Sequence, residues 1–349
     1  MKKLDVINLI LGERLHNVPN HSSISAFAPT NIALCKYWGK RDAELNLPVT
    51  SSLSVSLGDK GATTKVSVMD YAQDIAFLNG NSVDLFSNFG KRLVAFLDLF
   101  RAERSLYFKI EMQTTIPVAA GLASSASGFA ALVLALNALF NWQLEAHHLS
   151  ILARLGSGSA CRSICPGFVE WNKGIDANGM DSYGEILPDT WPELCVGLLM
   201  INPNEKQISS RDAMQHTMDT SVLYPLWPEK VSQDLFAIKK AIREKDFLLL
   251  GRTAESNALT MHGIMLSAWP PVNYFLPETM AAIQKITALR QQGAALYFTQ
   301  DAGPNLKLLF LSDDLNQVIS HFPTLEVIRP FNLNSAVGTY CEVIAQSLA

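Results

Sequence analysis

A glycine- and serine-rich segment, PVAAGLASSASG at 117–128, constrains the fold of this chain more than any other stretch. A strand-like run at 106–115 precedes it, in which apolar Ile110 and Met112 alternate with polar residues. An almost unbroken apolar run, FAALVLALNALF at 129–140, follows it and predicts a buried helix. A strand, a small-residue loop and a helix in this order point backbone N–H groups and a helix N-terminus at an anion.

The small residues of this segment suit a phosphate ligand. Gly121 and Gly128 let the backbone approach closely and the serines add hydroxyls, so we expect a nucleotide triphosphate. A plain linker or an ordinary helix cap is the alternative. The spacing matches neither a Walker A loop nor G-x-G-x-x-G, which argues against a Rossmann fold. The predicted ATP-binding residues are Gly121, Leu122, Ala123, Ser124, Ser125, Ser127 and Gly128.

Composition narrows the class of protein. The chain has 349 residues, enough for two domains, and its net charge of −4 argues against a nucleic-acid partner. No apolar run approaches the roughly 20 residues of a membrane span, so we expect no membrane partner. Five cysteines, an odd number, favour reduced thiols and a cytoplasmic location. Cys161 and Cys165 lack the second Cys or His pair that a zinc site needs.

The order of predicted elements indicates an α+β fold in two domains. Strands, loops and helices alternate in the first half, and an apolar strand at 195–203 opens the second half after two prolines. We therefore place the domains at 23–193 and 194–349. Residues 1–22 form an N-terminal extension, too charged for a signal peptide, that we expect to dock or fray.

The segment KYWGKRD at 36–42 follows a strand that we expect to begin at Asn31, after a turn at Pro29. It places three cations beside two aromatic residues, which suits a pocket for a polyanionic small molecule. A solvated charge run is an equally good interpretation of this segment alone. The cations are Lys36, Lys40 and Arg41, and the aromatic residues are Tyr37 and Trp38.

Two further clusters combine serine with arginine. Ser159 and Arg162 lie in a small-residue loop, and Arg162 offers the planar fork that binds carboxylate or phosphate in a bidentate manner. The alternative for this loop is a helix C-cap with a surface arginine. Ser210 and Arg211 lie at the start of a predicted helix, where an N-cap role is about as well supported as anion binding.

The segment DAGPN at 301–305 places Asp301 at the end of a predicted strand. Spacing alone favours an Asx-type turn there. However, the sequence contains no H-E-x-x-H or G-x-S-x-G motif, and many cations accompany this one candidate acid or base. That balance suits phosphoryl transfer, in which catalysis consists mainly of positioning and charge neutralisation.

Taken together, these motifs resemble the GHMP kinase superfamily and, more closely, its diphosphomevalonate decarboxylase branch. They occur in the family's order, and the resemblance covers nearly the whole chain from about residue 24. The combination of KYWGKRD, GLASSASG and DAGPN is specific, whereas either of the first two alone would indicate only the superfamily. The motifs are APTNIALCKYWGKRDAELNLPVTSSLSVSL (28–57), PVAAGLASSASGFAAL (117–132), GSGSACRS (156–163), SSRDAM (209–214) and DAGPN (301–305).

The resemblance implies a GHMP kinase fold. In this fold a left-handed βαβ-containing N-terminal domain, of the ribosomal protein S5 domain 2-like type, packs on a ferredoxin-like C-terminal domain, with the active site in the cleft. The implied reaction uses ATP and Mg²⁺ to phosphorylate the tertiary 3-hydroxyl of mevalonate 5-diphosphate. Loss of phosphate and CO₂ then gives isopentenyl diphosphate, late in the mevalonate route to isoprenoids.

The resemblance also implies residue roles. Asp301 contacts the 3-hydroxyl as a base or an orienting group, Lys36 lies near the transferring phosphate, and Arg162 holds the substrate carboxylate. The loop at 117–128 cradles the ATP phosphates, the Mg²⁺ ligands stay unassigned, and whether Lys307 faces the cleft is open. The residues implied for the substrate diphosphate are Tyr37, Lys40, Ser159, Ser210 and Arg211.

Other functions on the same scaffold stay open at this point. A mevalonate 3-kinase and a decarboxylase of the monophosphate are the nearest alternatives, followed by a homoserine or galactose kinase. A regulatory binding protein would have lost catalytic residues, and none of the motif residues is missing. A homodimer is common in the family, but the residues themselves do not indicate an oligomeric state.

Overall fold

Two β-sheets, one from each half of the chain, organise the computed structural model, which describes residues 1–102, 104–116, 124–204 and 208–332. The first half contains α1 (Lys3–Leu11), β1 (Ser23–Cys35), β2 (Lys40–Asp42), β3 (Leu47–Pro48), β4 (Ser52–Met69), β5 (Ile75–Leu78), β6 (Asn81–Ser82), α2 (Asn88–Asp98), β7 (Tyr107–Thr114), α3 (Ser124–Leu139), α4 (Ala146–Gly156), β8 (Phe168–Trp171) and β9 (Gly184–Ile186). The second half contains β10 (Leu194–Leu199), α5 (Ser210–Thr220), α6 (Trp227–Glu244), α7 (Phe247–Leu266), α8 (Pro277–Gln291), β11 (Tyr297–Gln300), β12 (Leu306–Leu311), α9 (Leu315–His321) and β13 (Glu326–Ile328). The fold is therefore α+β, as the sequence predicts.

The long strand β4 is the centre of the first sheet. It pairs antiparallel with β1 along one edge, and with β7 and β8 along the other. The strand order is β6-β5-β7-β4-β8-β9, and β5 with β7 forms a parallel pair. The strands β2 and β3 form a separate hairpin directly after β1.

The strand β1 begins earlier than the sequence predicts. We expected a turn at Pro29 and a strand from Asn31, but β1 runs from Ser23 through both residues. The pairing with β4 shifts register between Pro29 and Asn31, where the chain forms a bulge-like irregularity. A bulge tolerates proline because the missing N–H is not needed for the ladder there.

The buried helix α3 also begins earlier than the sequence predicts. We expected a loop over 117–128, but the helix starts at Ser124 and includes the last small residues of that segment. Residues 117–123 lie outside the described part of the chain. The residues from Phe129 to Ala135 are fully or almost fully buried against β1 and β4, which explains the unbroken apolar run. Serine and glycine favour loops over helix interiors, so the sequence does not indicate that this segment forms the first turn of α3.

The N-terminal extension docks on the first half of the chain. Helix α1 buries Val6, Ile7 and Ile10 in the same core as α3. After a short 3₁₀ turn, Arg14 and Trp142 exchange hydrogen bonds: Nη1 of Arg14 donates to the Trp142 carbonyl at 3.1 Å and Nε1 of Trp142 donates to the Arg14 carbonyl at 3.0 Å. The extension is thus an integral part of the core.

The second sheet is antiparallel, with the order β11-β12-β10-β13. Helices α6 and α7 pack together and contact β1 of the first sheet. As a result one apolar core contains residues from both halves, with Ile32 and Leu53 on one side and Trp227, Val231 and Leu250 on the other. This shared core fixes the two halves around the cleft described below.

The cysteines that the structure describes are all buried. These cysteines are Cys35, Cys161, Cys165 and Cys195, and Cys341 lies outside the described residues.

Within the described ranges, no helix combines the length and the apolar character that crossing a membrane requires.

The docking of α1 predicts a specific effect on stability. Ile7→Ala should lower the free energy of unfolding by about 2–4 kcal/mol, because Ile7 is 0% exposed and its removal leaves a cavity. Leu9→Ala is the matched control, since Leu9 is 59% exposed and should change stability by less than about 0.5 kcal/mol. Urea denaturation measures both, and equal effects would show that α1 does not belong to the core.

Candidate active site

A cleft of about 720 Å³ lies between the two halves, and both contribute to its lining. The segment after β1, the start of α3, the 3₁₀ turn at Gly158–Ser163, the start of α5 and the loop after β11 meet there. The structure therefore brings together most of the site residues that the sequence predicts. These are Lys36, Tyr37, Lys40, Ser125, Gly128, Ser159, Arg162, Ser210, Arg211 and Asp301.

Five of the predicted ATP-binding residues stand apart from this set. Gly121, Leu122 and Ala123 lie outside the described residues, as does the side chain of Ser124. Ser127 is described and is fully buried, and its hydroxyl accepts a hydrogen bond from Thr30 at 3.2 Å. Its side chain thus points into the protein interior and does not line the cleft.

Asp301 is the centre of the buried charges. Nζ of Lys36 lies 2.7 Å from one carboxylate oxygen, and Nζ of Lys307 lies 3.0 Å from the other. Both lysines are almost fully buried, whereas the Asp301 side chain is 23% exposed and reaches the cleft. The sequence left the orientation of Lys307 open; in the structure its side chain points at Asp301 from the start of β12.

The two lysines control the protonation of this centre. Although burial acts to raise the pKa of Asp301, the charges of Lys307 and Lys36 hold that pKa well below the usual carboxyl range. Burial lowers the pKa of Lys36 to about 8, because desolvation outweighs the attraction of Asp301 and the positive charges of Lys307 and Arg162 add to it. At neutral pH Asp301 is therefore an anion and Lys36 a cation close to its titration range.

A buried polar network fixes the backbone of Lys36. Its N–H donates to Oδ1 of Asn257 on α7 at 2.8 Å, and Nδ2 of Asn257 donates to Asp234 on α6 at 2.8 Å. Lys230 in turn donates to Asp234 at 2.6 Å. Sequence reasoning missed Asn257, because a single asparagine within a helix carries no signal of its partner.

Arg162 is held in one orientation by three polar side chains. Its Nε lies 3.1 Å from Oγ of Ser54 and 3.4 Å from Oδ1 of Asn31, and Nη1 donates to Ser52. The guanidinium also lies over the ring of Trp171, with Cζ 5.8 Å from the ring centre. Arg162 is 3% exposed and lines the cleft, so it presents a preoriented cation there.

Tyr37 offers a hydroxyl that the protein itself does not use. This hydroxyl is buried and has no hydrogen-bond partner among the described residues, while its ring packs 4.7 Å from that of Trp171. Burial raises the pKa of Tyr37, so it stays protonated and can donate to an anion. The positive charges of Arg162 and Arg211 oppose this rise in pKa, and both residues line the same cleft.

Lys40, Arg92 and Arg211 line the same cleft, and we call them the cation group. Lys40 contacts the neutral Oδ1 of Asn46 at 2.7 Å, and Arg92 lies over the ring of Phe129. Within the described part of the chain, no carboxylate forms an ion pair with any of the three. Burial, followed by repulsion from Arg211, lowers the pKa of Lys40 to about 8. Sequence reasoning missed Arg92, because a charged residue on the amphipathic helix α2 is typical of a solvated face.

The side chains that usually bind metal ions form no cluster in the described part of the chain. No group of three or more His, Cys, Asp or Glu side chains is placed there to hold a metal ion. His262, a buried imidazole near Asp301, has its pKa lowered to about 3 mainly by burial and therefore stays neutral. Its ring packs 4.9 Å from that of Phe275.

The two-sheet fold, with a helix N-terminus and clustered cations at one cleft, defines a small-molecule phosphotransferase scaffold of the GHMP kinase type. Residues 28–184 match the diphosphomevalonate decarboxylase-like N-terminal domain, and residues 196–338 match the mevalonate 5-diphosphate decarboxylase C-terminal domain. The chain belongs to the diphosphomevalonate decarboxylase family.

Comparison with individual relatives supports the same family. The diphosphomevalonate decarboxylase of Aspergillus fumigatus is 35% identical over 340 residues, which span 91% of this chain and 83% of the relative. The crystal structure of mevalonate diphosphate decarboxylase from Staphylococcus aureus superimposes with a TM-score of 0.82 at 38% identity, over 88% of this chain and 95% of that one. A solved complex of MDDEF with MVAPP, AMPPCP and magnesium gives a TM-score of 0.81 at 41% identity, over 88% and 97% of the two chains.

The fixed orientation of Arg162 predicts that charge alone does not suffice at this position. Arg162→Lys should lower kcat/KM at least about 100-fold, because a lysine cannot satisfy Ser54 and Asn31 and also present a planar fork to the cleft. Arg41→Lys, at an exposed arginine of the nearby hairpin, should change kcat/KM less than about twofold. Steady-state kinetics measures both variants, and full activity of Arg162→Lys would exclude a bidentate role.

Proposed function

We propose that this chain catalyses the ATP-dependent decarboxylation of mevalonate 5-diphosphate to isopentenyl diphosphate, with release of ADP, phosphate and CO₂. The observation that carries the proposal is Asp301 paired with Lys36 and Lys307, in a cleft that also holds Arg162 and the cation group. Such a site can align a hydroxyl for phosphoryl transfer and neutralise a polyanionic substrate. Solved relatives that bind MVAPP support this substrate.

The substrate is oriented by its two charged ends. Arg162 binds the carboxylate, and Lys40 and Arg211 of the cation group bind the diphosphate, together with Ser159 and Ser210. Tyr37, whose hydroxyl has no partner among the described residues and which lines the cleft with Arg162 and Arg211, donates to the diphosphate. This orientation places the 3-hydroxyl of the substrate at Asp301.

ATP binds against α3 and the neighbouring strand. Leu78, Phe89 and Met112 give the cleft an apolar part that suits the adenine ring. The phosphates lie at the N-terminus of α3, where backbone N–H groups and Ser125 donate to them. A solved relative that contains AMPPCP and magnesium supports ATP and Mg²⁺ as the ligands.

The residues present fit a magnesium ion that enters with ATP. The hydroxyls of Ser125 and Ser157 lie 3.5 Å apart at the cleft, and Mg²⁺ at nucleotide sites takes few protein ligands beside phosphates and water. These two serines would hold the ion, and its charge would stabilise the phosphates. Asp301 is a poor ligand for it, since both of its carboxylate oxygens already face a lysine.

In the first step Asp301 orients the 3-hydroxyl toward the γ-phosphate of ATP. Because the two lysines stabilise the Asp301 anion, it is a weak base and acts mainly by accepting the hydroxyl's hydrogen bond. A loose transition state requires little proton removal early, so alignment suffices until the phosphoryl group transfers, and the acidified hydroxyl proton then passes through Asp301 to solvent. Lys36, whose ammonium contacts Asp301, neutralises charge on the transferring phosphoryl group.

In the second step the 3-phosphate leaves as the carboxylate is lost as CO₂. The C–O bond to phosphate breaks and its electron pair leaves with the phosphate, while the C–C bond to the carboxylate breaks and its electron pair forms the new C=C bond as CO₂ departs. Lys36 and Lys307 supply fixed positive charge as the phosphate departs. Arg162 holds the carboxylate in line through its bonds to Ser54 and Asn31.

A kinase or decarboxylase acting on mevalonate or its monophosphate is the second candidate. The cation group argues against it, because a substrate with fewer charges would leave these cations uncompensated. Three further predictions remain proposals: the domain limits 1–22, 23–193 and 194–349 from the order of elements, a cytoplasmic location from the cysteines, and a homodimer from the family resemblance.

The reaction is tested by following ADP and CO₂ together with Mg-ATP and mevalonate 5-diphosphate. We expect the two products in a ratio of one to one. ADP without CO₂ would indicate a kinase on this scaffold. Turnover of the monophosphate or of mevalonate in place of the diphosphate would move the substrate assignment to the second candidate.

The role of Asp301 predicts a loss of turnover without a loss of binding. Asp301→Asn should lower kcat at least about 1,000-fold and change the KM for mevalonate 5-diphosphate less than about threefold. Asp313→Asn, at an exposed aspartate in the turn after β12, is the control and should keep normal kinetics. A thermal melt of both variants is needed, because Asp301→Asn leaves two buried lysines unpaired. Near-normal turnover would remove Asp301 from the mechanism.

The pKa values of the free enzyme predict its pH dependence. Lys36 is protonated and paired below its pKa of about 8 and loses its charge as the pH rises through that value. The ratio kcat/KM should therefore fall on the alkaline side with an apparent pKa near 8, and Asp301 should add no acidic limb between pH 6 and 8. Since Lys40 titrates in the same range, Lys40→Met separates the two: the alkaline limb should persist in this variant. Its disappearance would assign the limb to Lys40.

A further inference from the structure

The segment that carries Tyr37 and leads to Lys40 lies between two strands. Residues 36–39 connect β1 to β2 and belong to neither, so strand pairing alone does not fix their backbone. Tyr37 and Lys40 nevertheless line the cleft, where the proposed function assigns both side chains to the substrate diphosphate. The position of these two side chains therefore depends on contacts from other parts of the chain.

Helix α5 and the turn after it hold this backbone at two points. The hydroxyl of Tyr224 donates to the carbonyl of Trp38 at 3.2 Å. Two residues further on, the backbone N–H of Lys40 donates to Sδ of Met218, near the end of α5, at 3.3 Å. Tyr224 and Met218 both come from the second half of the chain. The second half thus fixes the backbone on either side of Gly39.

Gly39 allows the Tyr224 ring to come this close. Its φ of +125° lies in the region that favours glycine, and a Cβ there would lie 1.8 Å from Oη of Tyr224 and 3.0 Å from Cζ. The Gly39 carbonyl accepts a hydrogen bond from the N–H of Val49 at 3.1 Å, which ties it to the residue after β3. A side chain at residue 39 and the hydroxyl of Tyr224 would therefore compete for the same space.

The surroundings of Tyr224 indicate that its hydroxyl has a specific role. Tyr224 opens a 3₁₀ turn and is half-buried, whereas its neighbours Leu223, Pro225 and Leu226 are exposed. Burial raises the pKa of Tyr224 to about 12, so the hydroxyl stays protonated and can donate throughout the neutral range. A phenylalanine would fill the same space without this donor. The hydrogen bond, rather than the ring, therefore distinguishes tyrosine at this position.

We infer that Tyr224 is a positioning residue, which sets Tyr37 and Lys40 for the substrate diphosphate by fixing the peptide between them. This inference rests on the proposed function. The carbonyl of Trp38 lies between the two side chains along the chain, so a rotation of this peptide would displace both. A displacement of about 1 Å is enough to weaken the action of a positioned group. Tyr224 is not among the described residues that line the cleft, so it acts through Tyr37 and Lys40 rather than on the substrate.

Removal of the hydroxyl alone tests the inference. Tyr224→Phe should raise the KM for mevalonate 5-diphosphate about threefold to tenfold, because one hydrogen bond that orders the diphosphate site is lost. Both kcat and the KM for ATP should stay within about twofold of the wild type, since the contacts of Asp301 are unchanged.

Tyr297→Phe is the matched control. Its hydroxyl also has a protein partner, since Nε of Arg252 donates to it at 3.4 Å, but Tyr297 does not line the cleft. The kinetic constants of this variant should stay unchanged. A thermal melt of both variants measures the loss of stability that follows from removing a tyrosine hydroxyl in itself.

A double variant tests the contact between Tyr224 and Gly39. Gly39→Ala should displace the Tyr224 hydroxyl and raise the same KM. Because both changes then remove one hydrogen bond, the KM of the double variant should stay within about twofold of that of Gly39→Ala alone. Fully additive effects would show that the two residues act separately and would overturn the inference.

A binding measurement separates this inference from the proposed function. Calorimetry with inorganic pyrophosphate, with ADP present to fill the nucleotide part of the cleft, should show weaker binding to Tyr224→Phe than to the wild type and Tyr297→Phe. This result is expected whether or not mevalonate 5-diphosphate is turned over, so an absence of turnover in the wild type would overturn the proposed function alone. Unchanged pyrophosphate binding in Tyr224→Phe would overturn the inference. So would a lower melting temperature with no change in KM, or an equal rise in KM for Tyr297→Phe.

Discussion

The carboxylate of Asp301, held between two buried lysines, is the interaction around which the cleft is arranged. Lys36 follows the edge strand of the first sheet, whereas Lys307 comes from the interior of the second. Neither ammonium could be buried alone, since breaking such a pair costs about 3–5 kcal/mol. The charge of one aspartate therefore links a residue that follows the first sheet with a residue of the second sheet at the cleft.

The same residues that stabilise the fold set the electrostatics of the cleft. Asn257 fixes the backbone of Lys36, and Ser54 and Asn31 fix the fork of Arg162. Positive charge is therefore in place before substrate binds, so that little reorganisation accompanies the transfer of phosphate. Burial lowers the pKa of Lys36 to about 8, so the charge of this lysine depends on pH just above neutrality.

Much of the site could be predicted from the sequence because its residues occur in short local motifs. Lys36 and Lys40 share one segment, and Asp301 ends a recognisable strand. Lys307 and Arg92 could not be assigned from the sequence. Lys307 is a single charge in an otherwise apolar strand whose partner Asp301 is not identified by the spacing, and Arg92 lies on an amphipathic helix where a charge is typical of a solvated face. The start of α3 was likewise hidden, since serine and glycine suit a loop as well as the first turn of a buried helix.

The shared core between the two halves restricts how this scaffold can be modified. Residues of β1 and β4 interdigitate with those of α6 and α7, and the hydrogen bond from Lys36 to Asn257 crosses the same boundary. The halves are therefore not interchangeable modules, even though separate sequence families describe them. A chimera that combines the first half of this chain with the second half of a relative would pack poorly in this shared core. It would fold well only if the residues of α6 and α7 that contact β1 and β4 were exchanged as a matching set.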